Sequence, residues 1–427
     1  MKVLIVNTFD KGGAANACLR LHEGLLQQGV ESKVLLKHKQ KSLQQTYEFN
    51  QINKPKSKFQ LIRHKCLSFL RVIGLIKKSK ETPKQQFFKH RQLGLELFSF
   101  PESSLDITSS PLYKEADIIN LHWVSNFLDY DSFFRNNTKP IVWTLHDMNP
   151  FTGGEHYLET FLGIDTSGNP IPRILTNEEQ LVANKNLILK QKAIEYSSNI
   201  NIVAPSKWLC QAAKNSTVFK TLDVHCIPYG INSEIFQPRD QNYSRNILNI
   251  PKDKTVILFV ADSIDNHRKG YAYLKKALKM MQNDDVVLCA VGSKNSGLDS
   301  FKNIIELGTI NDELLMSIAY SAADVFVIPS LMDNLPNTVL ESLMCGTPVI
   351  GFPVGGITDM IKNEQNGLLA KSISSQSLLE SLEQFLKIKS SFNNAEISLA
   401  AKEKYDLSIQ ANAYIKLYSE ILKKEIL

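Results

Sequence analysis

Short apolar runs alternate with helical patterns through most of this chain, and that alternation narrows the possible folds more than any other feature. The first run, Lys2–Asn7, leads through a loop at Thr8–Ala14 into a helical pattern. That pattern passes through Leu19, Leu25 and Leu26 and ends at Gly29. Ser32–Leu36 is the next run, after which residues 37–58 read as a polar loop. Further runs stand at Asp117–Leu121, Pro140–Leu145 and Ile200–Ala204, the last ended by Pro205. Strands that alternate with helices argue for a parallel sheet covered on both faces.

The second half repeats the pattern without repeating the sequence. Strands are predicted at Thr255–Ala261, Val286–Val291, Ile304–Leu307, Val325–Pro329 and Pro348–Phe352. Helices fit at Tyr271–Met281, Asp312–Ala323 and Asn337–Cys345, and residues 396–424 read as a last pair. Cys226–Pro238, with Pro228, Gly230 and Pro238, marks the junction between halves. The expected fold class is α/β, two doubly wound domains facing each other, with the site in the cleft between them.

Composition closes off other classes. A chain of 427 residues, 43% hydrophobic and 22% charged, suffices for two or three domains with buried cores. It is not a disordered tail, a coiled coil or a disulfide-stapled miniprotein. The cysteines Cys18, Cys66, Cys210, Cys226, Cys289 and Cys345 are scattered with no CxxC pair, as expected for reduced thiols in a cytosolic protein. Only Val3 to Val6 are apolar between Lys2 and Asn7, whereas a secretory segment needs about 7–15 apolar residues. No run approaches the roughly 20 apolar residues of a membrane span.

The net charge of +6 is unevenly spread. Residues 54–91 hold twelve Lys or Arg against the single acid Glu81, a local +11, so the remainder carries −5. Ile62, Cys66, Phe69, Ile73 and Ile76 share one helical face in this segment, with His64, Arg71 and Lys78 opposite. A basic amphipathic helix on an anionic membrane surface is one reading, and a packed helix with a solvated basic face is the other. Nucleic acid is not expected, because no recognition motif or aromatic interleaving accompanies the charge.

Four segments carry chemistry. Gly12 and Gly13 follow the first strand and open the first helix, where backbone N–H groups suit a phosphate, although a structural turn alone also explains two glycines. His146, Asp147, Glu155 and His156 cluster after the Pro140–Leu145 strand. Metal-ligand spacing is absent there and no metal is expected; a turn or cap is the plain reading of Asp147. Pro329 to Glu341 leads from a strand into a helix, with Asp333 and Glu341 eight positions apart and Pro336 near the first helical position. A diphosphate at this helix start would meet the donors of Asn337 and Thr338, and Glu341 could accept from ribose hydroxyls or be an ordinary helix carboxylate. Arg268 and Lys269, on a loop before a helix, can neutralise phosphate charge.

Together these residues resemble the retaining glycosyltransferases of the GT-B fold, family 4, over nearly the whole chain. The Gly12-Gly13 loop, His146-Asp147, Ala204-Pro205-Ser206, Ile227-Pro228-Tyr229-Gly230-Ile231-Asn232 and Arg268-Lys269-Gly270 each match a family landmark. Asp333 and Glu341 occupy the two acidic positions of the E-x7-E motif. The segment from His146 to Gly154 is most similar to transferases of exopolysaccharide, capsule and colanic acid assembly.

The resemblance implies a GT-B architecture: an acceptor-binding Rossmann-like domain over residues 1–227, a nucleotide-sugar-binding one over 228–405, and a C-terminal helix, 406–427, returning to the first. It implies transfer of a sugar, with retained configuration and no divalent metal, from a UDP-sugar or next a GDP-sugar. The acceptor would be lipid-linked or a polysaccharide, in cell-surface glycan synthesis at the cytoplasmic membrane face. Glu341 would hold the ribose, and Asp333 with the amides around Asn334 and Leu335 the donor hexose. Arg268 and Lys269 would stabilise the leaving diphosphate, helped by Gly13 and Thr338, with His146 near the anomeric carbon. Asp147 and Glu155 would lie towards the acceptor.

Three positions depart from the pattern. Asp333 stands for Glu, Asp262 and Ser263 stand where many relatives carry Arg, and Glu155 stands where relatives often continue with cysteines. A UDP-sugar 2-epimerase shares the implied fold, and a non-catalytic nucleotide-sugar-binding partner of another transferase is the third reading.

Overall fold

The computed structural model describes residues 1–50, 81–92, 95–158, 161–263, 266–293 and 303–424. Most of the basic segment 54–91, including the face through Ile62, Cys66, Phe69, Ile73 and Ile76, lies outside the described residues. Its end is the helix Pro83–His90, opened by a capping box between Thr82 and Gln85.

The first unit is a seven-stranded sheet. Its strands are β1 (Lys2–Phe9), β2 (Glu31–His38), β3 (Thr46–Glu48), β4 (Ile118–Leu121) and β5 (Ile141–Thr144). A separate hairpin, β6 (Phe161–Ile164) and β7 (Pro170–Pro172), precedes β8 (Ile200–Ala204) and β9 (Asp223–Cys226). The order β3-β2-β1-β4-β5-β8-β9 is parallel throughout. β1 is an interior strand, buried from Val3 to Thr8 on both faces. Leu4 and Val6 join Ile119, Leu121 and Trp143 on one face, while Val3 and Ile5 join Leu21, Leu25 and Val142 on the other. That period of two is what a strand between two layers requires.

The second unit carries β10 (Thr255–Ser263), β11 (Val286–Ser293), β12 (Ile304–Gly308), β13 (Val325–Ile328), β14 (Val349–Gly351) and β15 (Gly367–Leu369). Their order is β12-β11-β10-β13-β14-β15, again parallel. Both sheets reverse direction of growth beside their first strand, and a crevice opens at the carboxyl ends of the strands at such a switch point.

Edge strands depart from the sequence reading. Residues 37–58, read as a loop, contain β3, and β9 precedes the Cys226–Pro238 junction unread. Each is short, with Tyr47, Glu48, Asp223 and Cys226 exposed. An edge strand has few neighbours to bury and so lacks the apolar run that betrays a central one.

The last helix, Leu407–Lys424, returns to the first unit, where Tyr414, Leu417, Tyr418 and Ile421 close the face behind Val3 and Ile5. Burial of each large apolar side chain contributes about 1.5–3 kcal/mol. Asn120 Nδ2 donates to the Tyr418 hydroxyl at 2.7 Å, and the Thr144 and Tyr414 hydroxyls lie 2.8 Å apart. The chain passes between the units twice at one place: Ile231 N donates to Tyr405 O at 2.8 Å, and Leu407 N donates to Ile231 O at 3.0 Å. Among the described residues no helix is long and apolar enough to cross a membrane.

Candidate functional site

A cleft of about 1180 Å³ separates the carboxyl ends of the two sheets. Gly12, Gly13, His146, Asp147, Arg268, Lys269, Asp333, Leu335, Asn337, Thr338 and Glu341 all line it. Residues hundreds of positions apart are brought together because both sheets end on this side.

The wall from the first unit begins at the turn after β1. Gly12 has φ +95°, a conformation that a side chain would strain, and it precedes the helix Gly13–Gln27 without a side-chain cap. The next wall element follows β5. His146 is held between His122 Nδ1, 2.9 Å from its Nε2, and the Tyr229 hydroxyl, 2.7 Å from its Nδ1. Burial pushes its pKa down to about 4, so the imidazole is uncharged at neutral pH.

Asp147 faces His156 Nδ1 at 2.6 Å and accepts from Trp123 Nε1 at 2.8 Å and Asn149 N at 2.9 Å. Burial alone would raise its pKa, but these partners outweigh it and hold the carboxylate below its usual range. The bond to Asn149 N is the turn role that its sequence position suggested. The loop beyond is fixed by Lys190, a fully buried amine that donates to the carbonyls of Asn149 and, at 3.0 Å, Thr152. Burial lowers the pKa of this lysine to about 7.

The second unit supplies charge. Lys269 Nζ donates to Asp333 Oδ2 at 2.9 Å, and Arg268 Nη1 lies 3.1 Å from the same oxygen. Arg268 also binds Glu96 at 2.6 Å and stacks on Tyr157. Burial would raise the Asp333 pKa, yet the two cations overcome it and bring it down to about 2. The helix Asn337–Met344 starts at Pro336 with no capping side chain. Its Asn337 Nδ2 donates across the cleft to Gly13 O at 2.9 Å. One turn in, Glu341 accepts from Arg20 Nη2 at 2.8 Å and from the Tyr320 hydroxyl at 3.0 Å.

Glu155 requires a correction. It does not line the cleft: Arg91 at 2.8 Å and Arg173 at 3.1 Å hold it, with Glu179 shared between the same two arginines. Its carboxylate ties the loop after β5 to the hairpin and the helix Asn177–Ile194. Adjacency to His146 in sequence suggested the wrong side of the loop.

Arg20, Glu96, His122 and Glu313 escaped the sequence reading. Only Arg20 had a usable signal. It lies two helical turns after Gly13, and Asn16 and Glu23 share that face, giving a polar stripe on the helix that follows the glycine turn.

Residues 240–403 match the family described as glycosyl transferases group 1. The matched residues lie in the second unit. The chain is also similar to the D-inositol 3-phosphate glycosyltransferase of Streptosporangium roseum, 25% identical over 291 residues. That alignment spans 63% of this chain and 61% of the relative. A second relative is the N,N'-diacetylbacillosaminyl-diphospho-undecaprenol alpha-1,3-N-acetylgalactosaminyltransferase of Campylobacter jejuni. It is 28% identical over 208 residues, 45% of this chain and 53% of the relative. The chain thus spans less than two thirds of the length of these relatives. Among solved structures, Anabaena HepE in complex with UDP and glucose superposes with a TM-score of 0.66 at 16% identity, covering 98% of this chain and 99% of that one. At that identity the likeness is one of fold, and the fold of this chain is GT-B.

Proposed function

We propose that this chain is a retaining glycosyltransferase that moves a sugar from a nucleotide-sugar to a lipid-linked or polysaccharide acceptor in cell-surface glycan synthesis. A UDP-sugar is the favoured donor. One observation carries the reading. The uncapped start of the Asn337–Met344 helix stands opposite the Gly12–Gly13 turn, with Arg268 and Lys269 beside it and Glu341 one turn in. Backbone N–H groups from two helix starts and two cations converge where a diphosphate would lie.

Departure of a nucleoside diphosphate leaves negative charge on phosphate and positive charge on the sugar ring. Donors fixed beforehand bind the departing group more tightly as that charge grows, which lowers the barrier. One such donor contributes about 3–4 kcal/mol in a water-excluded site. In this reading Lys269, Arg268, Gly13 and Thr338 do so without a divalent metal, and Glu341 accepts from the ribose. Asp333, ionised between its cations, addresses the donor sugar. His146 presents an uncharged ring and reaches a donor hydroxyl by giving up its bond to His122. The acceptor enters from the side of Asp147.

The names of the relatives support a glycosyl donor, and the undecaprenol in one of them supports the lipid-linked acceptor. The cytoplasmic face of a membrane, reached through the basic segment 54–91, belongs to the same proposal. Calorimetry with UDP, GDP, ADP and their common sugars, in EDTA, tests it. Saturable binding of one nucleotide supports the reading, and a product with the donor's anomeric configuration supports retention. No binding to any of them, or binding that requires a divalent metal, would overturn it.

A further inference from the structure

Arg20, on the first unit, reaches two carboxylates of the second. It leaves the Gly13–Gln27 helix with its side chain 4% exposed, and its guanidinium lies over the Phe236 ring. Nη2 meets Glu341 Oε1 at 2.8 Å and Glu313 Oε1 at 2.6 Å, while Nε meets Glu313 at 3.1 Å. Nη1 is buried beside the cleft with no hydrogen-bond partner. On the far side of the same carboxylate, the Tyr320 hydroxyl donates to Glu341 Oε2 at 3.0 Å.

Each carboxylate oxygen of Glu341 therefore carries one protein donor and keeps lone-pair capacity for another. Two neighbouring hydroxyl groups on one ligand match two such oxygens side by side. The donor on Oε1 comes from the opposite unit, so Glu341 is held from both sides only while the two units stand as they do here. We propose that Arg20 is a positioning residue for the ribose of the bound nucleotide. It orients Glu341 for the 2′- and 3′-hydroxyls and so couples recognition of a ribosyl group to closure of the cleft. The spare Nη1 donor gives the guanidinium a further contact to a ligand oxygen. This inference rests on the nucleotide-sugar reading above.

A merely structural arginine would bind the two units together without regard to the sugar of the nucleotide. The test is therefore calorimetric titration of the full chain with UDP, GDP and ADP and with their 2′-deoxy counterparts. The unaltered protein and the Arg20→Gln and Arg20→Lys variants are compared, with a melting curve for each. The expected result is a preference of about tenfold for the ribonucleotide in the unaltered protein, the scale of one lost hydrogen bond to a charged group. It falls to about twofold in Arg20→Gln, mainly through weaker ribonucleotide binding, with partial recovery in Arg20→Lys. If Arg20→Gln does not fold, Arg20→Lys carries the comparison through an intermediate preference. A preference retained in the variants overturns the inference, as does equal weakening of both nucleotide types or the lack of any preference in the unaltered protein. Binding of no nucleotide by the unaltered protein would instead fell the nucleotide-sugar reading, and this inference with it.

Discussion

Lys269 Nζ donates to Asp333 Oδ2 at 2.9 Å, so the cation of one loop is balanced by the acid that begins the next. The pair is buried on the acid's side, Asp333 showing 10% of its side chain and Lys269 24%. Arg268 contacts the same oxygen and also pairs with Glu96, so two cations and two carboxylates interlock on this wall of the cleft.

Lys269→Ala removes one cation and leaves Asp333 with Arg268. Turnover of the nucleotide-sugar should fall by about a hundredfold or more, the scale of one lost transition-state donor. The rate should fall more than the stability, because Arg268 still contacts the acid. Transfer rates and thermal unfolding of the same preparations check this, and an unchanged rate would remove Lys269 from the site.

Glu155→Ala should behave in the opposite way. It leaves Arg91 and Arg173 sharing Glu179 alone in a buried cluster. Breaking a buried ion network costs about 3–5 kcal/mol, so denaturant unfolding should show a large loss of stability. Nucleotide affinity of the folded fraction should stay within about twofold, since Glu155 does not line the cleft.

The pH dependence of stability follows from His146. Its folded pKa, about 4, lies below the ordinary histidine value, so the unfolded chain binds more protons between the two. Stability is then greatest above about pH 6.5 and falls as the pH drops towards 4, by about 3 kcal/mol from this ring. His122 is displaced in the same direction by burial and by His146, which steepens the fall. Unfolding measured between pH 4 and 7 should show this slope, and His146→Asn should flatten it.

Gly153→Ala tests the packing behind the site. A Cβ there would stand 2.4 Å from the Ala183 carbonyl oxygen, backbone that cannot swing aside. Asn186 Nδ2 already donates to Gly153 O at 2.8 Å, holding the loop against this helix. Overpacking of this kind typically costs about 1–3 kcal/mol. Calorimetric melting of the variant should show it, together with weaker nucleotide binding if the loop shifts His146.

The central strands and the Tyr271–Met281 helix were legible because their apolar periodicity reflects burial on both faces. Edge strands β3 and β9 were not, since an exposed edge needs no such pattern. In the site, Gly12, Gly13, Arg268, Lys269 and Asp333 announced themselves by lying in loops after strands, and Asn337 and Glu341 by opening the helix that follows. Glu96 and Glu313 did not: each gains its meaning from a partner more than a hundred positions away, Arg268 for the one and Arg20 for the other. Glu155 misled because a loop can send two nearby carboxylates to opposite sides. Spacing along a loop carries no information about direction unless a periodic element follows.

The last helix also sets an order of assembly. Val3, Ile5, Leu21 and Leu25 are made early, yet the layer that covers them includes Tyr414, Leu417, Tyr418 and Ile421. Domains ordinarily fold as they emerge from the ribosome, the N-terminal one first. Here the first unit keeps an open apolar face until residues 414–421 have been synthesised, while the second unit can close on its own core. A nascent chain of this protein is therefore most exposed to aggregation and to chaperone capture through the face of Val3, Ile5, Leu21 and Leu25, and a fragment ending near residue 405 would carry that exposure permanently.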